Sequence, residues 1–285
     1  MRKINCFIIG AQKAGTTSLY EYIKQHPNVY FSDVKEITYF IDDMYYAKGE
    51  SYLHSFFNKY MNEKVIASSH VHMLPSKDAP KRVLDYNKDM KFIIMLREPV
   101  SRAYSSYNYA IKNDWENIQN SFLETIELEK KRIERKEYDL MYFENGKYFK
   151  HIKYWHTYFP KDNFLILKDS ELRSNGQEVV NKIFDFLKIK RCKINTNQEY
   201  NKAGIVRVKW LQSFLLNKSG IKKVFGFFLS KNLRVWIRSS VFKKIYTLNQ
   251  INKVSESLDL NTGNQIRMYF KEDLKQLEEE YGIVF

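Results

Sequence analysis

Four stretches of the 285-residue sequence hold side chains suited to binding or moving an anionic group. The first is Gly10-Ala-Gln-Lys13-Ala14-Gly15-Thr16-Thr17-Ser18, one lysine between two glycines followed by three hydroxyl residues. A glycine-bounded loop that opens a helix offers free backbone N–H groups and the positive end of the helix dipole to an anion. The second is Leu96-Arg97-Glu98-Pro99-Val100-Ser101-Arg102-Ala103-Tyr104-Ser105. A guanidinium at the end of a strand matches phosphate geometry, and Pro99 suits the first turn of a helix. The third, Lys35-Glu36-Ile-Thr-Tyr39-Phe40, sets a cation beside a carboxylate that can act as a general base. The fourth, Ser68-Ser69-His70-Val71-His72, alternates two imidazoles that share one face if the strand runs through them. Imidazoles so placed can accept a proton or contact a ligand, and two histidines alone make a poor metal site.

The elements that must position these stretches follow from hydrophobic patterning. Ile4–Ile9, Lys64–Ala67, Lys91–Leu96 and Asn163–Leu167 are short apolar runs bounded by turns or charges, and they read as buried strands. Helical spacing follows the first, third and fourth, over Thr16–Gln25, Val100–Lys112 and Gln177–Leu187. Strand then helix, repeated, predicts an α/β fold with a central parallel sheet flanked by helices. The charge-dense stretch Glu116–Glu137, with Phe122, Ile126 and Ile133 on one face, predicts a solvated outer helix. From Arg207 onward the pattern is helical, closing with Thr262–Tyr281 and a stop at Gly282. The expected organisation is one domain over 1–285, with an α/β core in 1–200 and a helical, basic part in 201–285.

The first stretch is similar to the nucleotide triphosphatase loop GxxxxGK[ST], with one change. Thr16 stands where that loop has its lysine, and Lys13 lies inside the loop instead. Such a hydrolase also needs an acid at a strand end to help hold magnesium. The later strands end in Ser68, Arg97 and Lys168, with Asp169 one residue further. An anion site without a metal fits the residues better.

Together, GAQKAGTTS and LREPVSRAYSSY resemble the sulfotransferases that use 3′-phosphoadenosine 5′-phosphosulfate (PAPS), in their carbohydrate, heparan-sulfate-like branch and its bacterial relatives. The resemblance runs on through Gly146-Lys-Tyr148, Trp155, Phe159-Pro160, Phe164–Leu167, Phe184 and Phe186-Leu187, and into the last helix with Tyr269, Asp273 and Leu277. It implies that Lys13, Ala14, Gly15, Thr16, Thr17 and Ser18 grip the 5′-phosphosulfate, as a P-loop-like phosphosulfate loop. It implies that Arg97 and Ser105 hold the 3′-phosphate, and, more weakly, that Arg207 in a late basic loop touches the cofactor. Glu36 is implied as the base that takes the proton of the acceptor hydroxyl, and Lys13 as the cation that stabilises the leaving phosphate, with PAP as product. Lys35, His70 and His72 are the candidate acceptor contacts. The segment after the second predicted strand departs from the family, whose Gly-Glu-x-Ser-Pro-x-Tyr pattern is replaced by Ile66-Ala67-Ser68-Ser69-His70-Val71-His72. The acid, the proline and the tyrosine are gone, so the resemblance does not supply the acceptor.

Net charge is +14, and it is concentrated. Tyr200 to Ser255 holds twelve Lys or Arg and no Asp or Glu. Within it, Phe225, Leu229, Leu233, Ile237, Val241 and Ile245 recur every four residues across 222–246, a basic amphipathic helix suited to an anionic membrane or an anionic acceptor. Cys6 and Cys192 lack metal-ligand spacing and point to a reducing compartment. No apolar run approaches the ~20 residues of a membrane-spanning helix. The expectation is a cytoplasmic sulfotransferase, peripheral at the inner face of the membrane through 222–246. It acts on a hydroxyl of a glycan, glycolipid or small metabolite without metal or nucleic acid. A P-loop kinase-like phosphotransferase and a basic nucleic-acid-binding protein are the competing readings.

Overall fold

The computed structural model describes residues 3–117, 119–198, 205–206, 250–251 and 258–285. Five parallel strands form the central sheet: β1 (Cys6–Gly10), β2 (Val29–Phe31), β3 (Val65–Ser69), β4 (Lys91–Leu96) and β5 (Phe164–Lys168), in the order β2-β3-β1-β4-β5. Every residue of β1 and β3 is buried, as is all of β4 beyond Lys91, because helices cover both faces of a parallel sheet. The four predicted strands are present within two residues of their expected starts. Strand β2 carries no signal of its own. Three residues are too few for a period, and pairing of Val29–Phe31 with Val65–Ala67 makes it a strand.

The helices follow in chain order: α1 (Thr16–Ile23), α2 (Asp43–Tyr46), α3 (Gly49–His54), α4 (Ala79–Tyr86), α5 (Pro99–Lys112), α6 (Thr125–Glu134), α7 (Tyr148–His156), α8 (Asp169–Ser174), α9 (Gly176–Phe186) and a C-terminal helix (Leu260–Tyr281). Helix α5 starts where its sequence says it should. The Glu98 carboxylate accepts from the N–H groups of Val100 and Ser101 at 3.2 and 2.7 Å, and Pro99 fills the first position. The C-terminal helix ends on Gly282 at φ 65°, as expected. Its Asp273 accepts from Phe149 and Lys150 N–H at 3.0 Å each, capping α7 from outside. Gly146 lets the two helices approach, since a Cβ there would meet Phe270 Cε1 at 2.8 Å.

Three expectations need correction. Glu116–Glu137 is not one solvated helix. Only Thr125–Glu134 is helical, and Glu116, Glu129 and Arg132 are buried. Arg132 Nη2 and Glu116 Oε2 pair at 2.5 Å, while Glu129 accepts from Phe143 and Glu144 N–H at 3.0 and 2.6 Å. These charges find partners in the 138–146 turns, which no local pattern foretells. Second, β3 stops at Ser69, and His70 and His72 lie in the turn beyond it rather than on a strand face. Third, the part from Arg207 onward is not wholly helical, because Gln250–Ile251 pairs antiparallel with Ile205–Val206. The amphipathic stretch 222–246 and Arg207 lie outside the described residues. Cys6 and Cys192 are free thiols, and burial pushes the Cys6 thiol up to about 12. Among the described residues, no helix is long and apolar enough to cross a membrane.

Candidate active site

Chain connections leave β1 and β4 in opposite directions, toward β2 and β5, and open α/β sheets bind ligands in the crevice at such a switch point. Gly10–Ser18 and Arg97–Ser105 both emerge there, from the C-terminal ends of adjacent strands. Ala11 N–H donates to Met95 O at 2.7 Å and ties the two exits together. The Gly10–Ser18 loop turns into α1 through Gly15, whose φ of 83° a glycine adopts without steric cost. No side chain hydrogen-bonds back as its N-cap, and Gly15 is exposed, so the start of α1 faces outward.

Lys13 takes a left-handed backbone, φ 65°, which costs a non-glycine residue about 1 kcal/mol or more. Its ammonium lies 4.2 Å from the centroid of the Tyr109 ring. Burial, and then the neighbouring charges of Arg97 and Lys112, lower its pKa to about 8. Arg97 reaches back from the end of β4, and its Nη1 donates to Lys13 O at 3.2 Å. Its Nε lies 3.8 Å from Asp169 Oδ2, which Arg173 also meets at 2.6 Å. Glu98 is occupied as the α5 cap, so Asp169, and not Glu98, is the counter-ion of Arg97. Ser105 sits half-buried in α5. The next residue, Ser106, donates to Gln12 Oε1 at 2.7 Å and fixes the loop against that helix.

Lys35 and Glu36 meet the loop at Thr17. Lys35 Nζ donates to Thr17 Oγ1 at 2.8 Å and lies 3.4 Å from Glu36 Oε1. Glu36 also has a left-handed backbone, φ 64°, and its Oε2 accepts from Val71 N–H at 2.9 Å. Burial raises the Glu36 pKa, opposed by Lys35 and the Val71 N–H. Such a carboxylate is a better proton acceptor than an exposed one.

His70 and His72 are both buried, with ring centroids 5.5 Å apart. Burial and mutual proximity lower His70 to about 3, and burial with the charge of Arg102 lowers His72 to about 4. Both imidazoles are neutral at physiological pH. His72 N–H donates to His70 Nδ1 at 3.2 Å, so the His70 proton belongs on Nε2. His70 Nδ1 lies 3.8 Å from Glu36 Oε2, and His72 Nε2 lies 3.4 Å from Asp139 Oδ1. Asp139 Oδ1 accepts from Gln12 Nε2 at 2.7 Å and closes the circuit back to the loop.

Contacts therefore link Lys13, Thr17, Lys35, Glu36, His70, His72 and Arg97 at the exits of β1 and β4, with Ala14, Gly15, Thr16 and Ser18 on the same loop and Ser105 on the adjoining helix. Sequence reasoning missed Gln12, Asp139 and Asp169. Gln12 lies inside the loop and was open to notice. Asp169 was visible as the acid just past a strand end, but its partnership with Arg97 was not, and Asp139 carries no motif, so only its contacts single it out.

A family model described as "Sulfotransferase domain" matches residues 3–237. The chain belongs to the sulfotransferase domain family. Human heparan sulfate glucosamine 3-O-sulfotransferase 3B1 is 25% identical over 196 residues, 69% of this chain and 49% of that protein. The sulfotransferase chain spans about half the length of such curated relatives. A crystal structure of a sulfotransferase from Alicyclobacillus acidocaldarius superposes with a TM-score of 0.70 at 20% identity, covering 100% of this chain and 98% of the other. Retinol dehydratase in a complex with retinol and PAP gives a TM-score of 0.50 at 15% identity, covering 100% of this chain and 84% of that one. Both likenesses show the fold.

Proposed function

We propose that this sulfotransferase-family chain moves a sulfuryl group from PAPS to a hydroxyl of a carbohydrate acceptor, leaving PAP. The observation that carries the reading is that Lys13, Arg97 and the α1 N-terminus meet at the exits of β1 and β4, with Glu36 tied to the same loop through Lys35. A nucleotide with phosphate groups at both ends of its ribose needs separated cationic sites, and Arg97 and the Lys13–Ser18 loop supply them. Arg97 and Ser105 take the 3′-phosphate, and Lys13, Ala14, Gly15, Thr16, Thr17 and Ser18 take the 5′-phosphosulfate. The donor supplies a sulfur atom bonded to a good phosphate leaving group.

The residues divide the remaining work. Glu36 accepts the proton as the acceptor oxygen forms its bond to sulfur, and the sulfur–oxygen bond to the 5′-phosphate breaks in line. The Lys13 ammonium offsets charge on the departing phosphate oxygen. Lys35, held between Thr17 and Glu36, fixes the spacing of base and loop. His70 and His72, neutral and buried, are poor bases at their lowered pKa values, so they are assigned to shaping the acceptor side with Asp139. The relative named for heparan sulfate glucosamine supports a saccharide acceptor. The basic block 222–246 is assigned to an anionic surface, either the membrane or the acceptor itself.

Thermal denaturation with PAP, against ATP and magnesium, tests the donor. A ligand that binds only the native state at one hundred times its Kd adds about 2.7 kcal/mol. PAP should raise the melting temperature, and ATP with magnesium should do so far less. Equal shifts would return the chain to the kinase-like reading.

A further inference from the structure

Helix α5 ends in a way that builds something beside Lys13. Asp114 N–H donates to Ile111 O at 3.2 Å and Trp115 N–H donates to Ala110 O at 3.0 Å, the paired bonds of a Schellman cap. Asp114 occupies its left-handed position at φ 61°, where glycine is the cheaper residue. The cap folds Trp115 back over the last turns, edge-on to Tyr109 at 5.5 Å between centroids and 81° between planes. A contact between these two positions is normal for the motif, and a leucine would make it. Three features go beyond capping. Trp115 remains 48% exposed and Tyr109 38% exposed, although a packing contact alone would favour burial. Tyr109 also carries the Lys13 ammonium on its face. Asn113, whose Nδ2 is held on Tyr109 O at 2.7 Å, adds a polar group at the same helix end.

We infer that the exposed Trp115 ring, braced at a steep angle by the Tyr109 ring that carries Lys13, forms the acceptor's platform, on which the C–H face of a pyranose lies while its hydroxyl approaches the sulfur. This rests on the sulfuryl-transfer reading above and names the acceptor subsite within it. An exposed aromatic face complements a sugar ring, which is apolar on its faces and hydrogen-bonding at its edges. The platform touches the cation assigned to the scissile bond, and the acceptor must meet the sulfur there. Arg97, which bonds the Lys13 carbonyl while Tyr109 meets the Lys13 ammonium, is assigned to the nucleotide end. The transfer itself is unchanged: the pyranose hydroxyl gives its proton to Glu36, its oxygen bonds to sulfur, and the phosphate oxygen leaves.

The test uses the full chain saturated with PAPS or PAP, with a glucosamine-containing heparan oligosaccharide as acceptor probe and sorbitol as the acyclic control. Trp115→Ala should raise the oligosaccharide KM about tenfold, leave kcat within about threefold, and leave PAP affinity unchanged. Trp115→Phe should restore most of the KM, and Asp114→Gly, which keeps cap and rings, should leave it alone. In wild type the oligosaccharide should perturb tryptophan emission where sorbitol does not, and Trp115→Ala should remove that change. Loss of PAP affinity by the same factor in Trp115→Ala would put adenine on the platform and overturn the inference. A lower melting temperature with KM and PAP affinity intact would leave Trp115 a capping residue only. A wild type that PAP stabilises but that neither binds nor sulfates the oligosaccharide would refute the saccharide. A wild type that PAP does not stabilise would instead remove the sulfuryl-transfer reading underneath.

Discussion

The guanidinium of Arg97 hydrogen-bonds the backbone carbonyl of Lys13 at 3.2 Å, so the residue proposed for one phosphate holds the residue proposed for the other. Lys13 adopts its left-handed backbone in that loop, and Arg97 is itself anchored near Asp169. Strain of this kind persists where surrounding contacts over-determine it. The two strand exits are thereby set as one unit before any ligand arrives, which lowers the ordering cost of binding.

Arg97→Ala should weaken PAP binding by about 2–4 kcal/mol, the loss of a charge-assisted partner to a desolvated anion. Adenosine 5′-phosphosulfate, which lacks the 3′-phosphate, should lose much less. Asp169→Asn should reproduce a smaller part of the defect by leaving Arg97 unanchored. Calorimetric titration of both nucleotides separates these outcomes, and equal losses would contradict the assignment of Arg97.

Glu36→Gln retains size and the Val71 contact but cannot accept a proton. Turnover should fall by about 10²–10⁴ with PAP affinity near normal. If that variant stays active while His70→Ala or His72→Ala is dead, the base lies in the turn after β3.

The Lys13 pKa of about 8 sets an alkaline limit. Lysine loses its charge as pH rises through that value, so kcat/KM should decline above about pH 8. Lys13→Arg stays charged at any accessible pH. Its absolute rate should be lower, but its alkaline limb should disappear. A pH profile of both proteins from 6 to 10 decides this.

Stability should depend on pH through Glu129, whose pKa burial raises from 4.5 to about 7. The folded state then binds the proton more tightly than the unfolded chain. Its stabilising contribution is complete below pH 4.5 and is lost as pH rises through about 7. By pH 8 the loss approaches about 3 kcal/mol. Urea denaturation at pH 5 and pH 8 should show this fall in wild type, and Glu129→Gln should remove most of it.

Much of the architecture is local in origin and was legible from the residues alone. Apolar runs such as Lys91–Leu96, the Glu98–Pro99 helix start and the Gly282 stop express short-range sterics and hydrogen bonding that sequence order specifies. The loop Gly10–Ser18 and the strand-end Arg97 mark a candidate anion site for the same reason, each lying at one strand exit and one helix start, while the pairing of Arg97 with Ser105 came from the family resemblance. Tertiary structure decided everything that depends on distant partners. Pairing with β3 made Val29–Phe31 a strand, and packing against the 138–146 turns made Glu116 and Arg132 a buried ion pair and Glu129 a buried carboxyl held by backbone N–H groups. The turn after Ser69, rather than a continued strand, brought His70 and Val71 to Glu36, 34 and 35 residues away in sequence. Asp139 reached Gln12 across 127 residues and Asp169 reached Arg97 across 72. No periodicity encodes such contacts. They exist because burying a charge is costly until the folded chain supplies its partner.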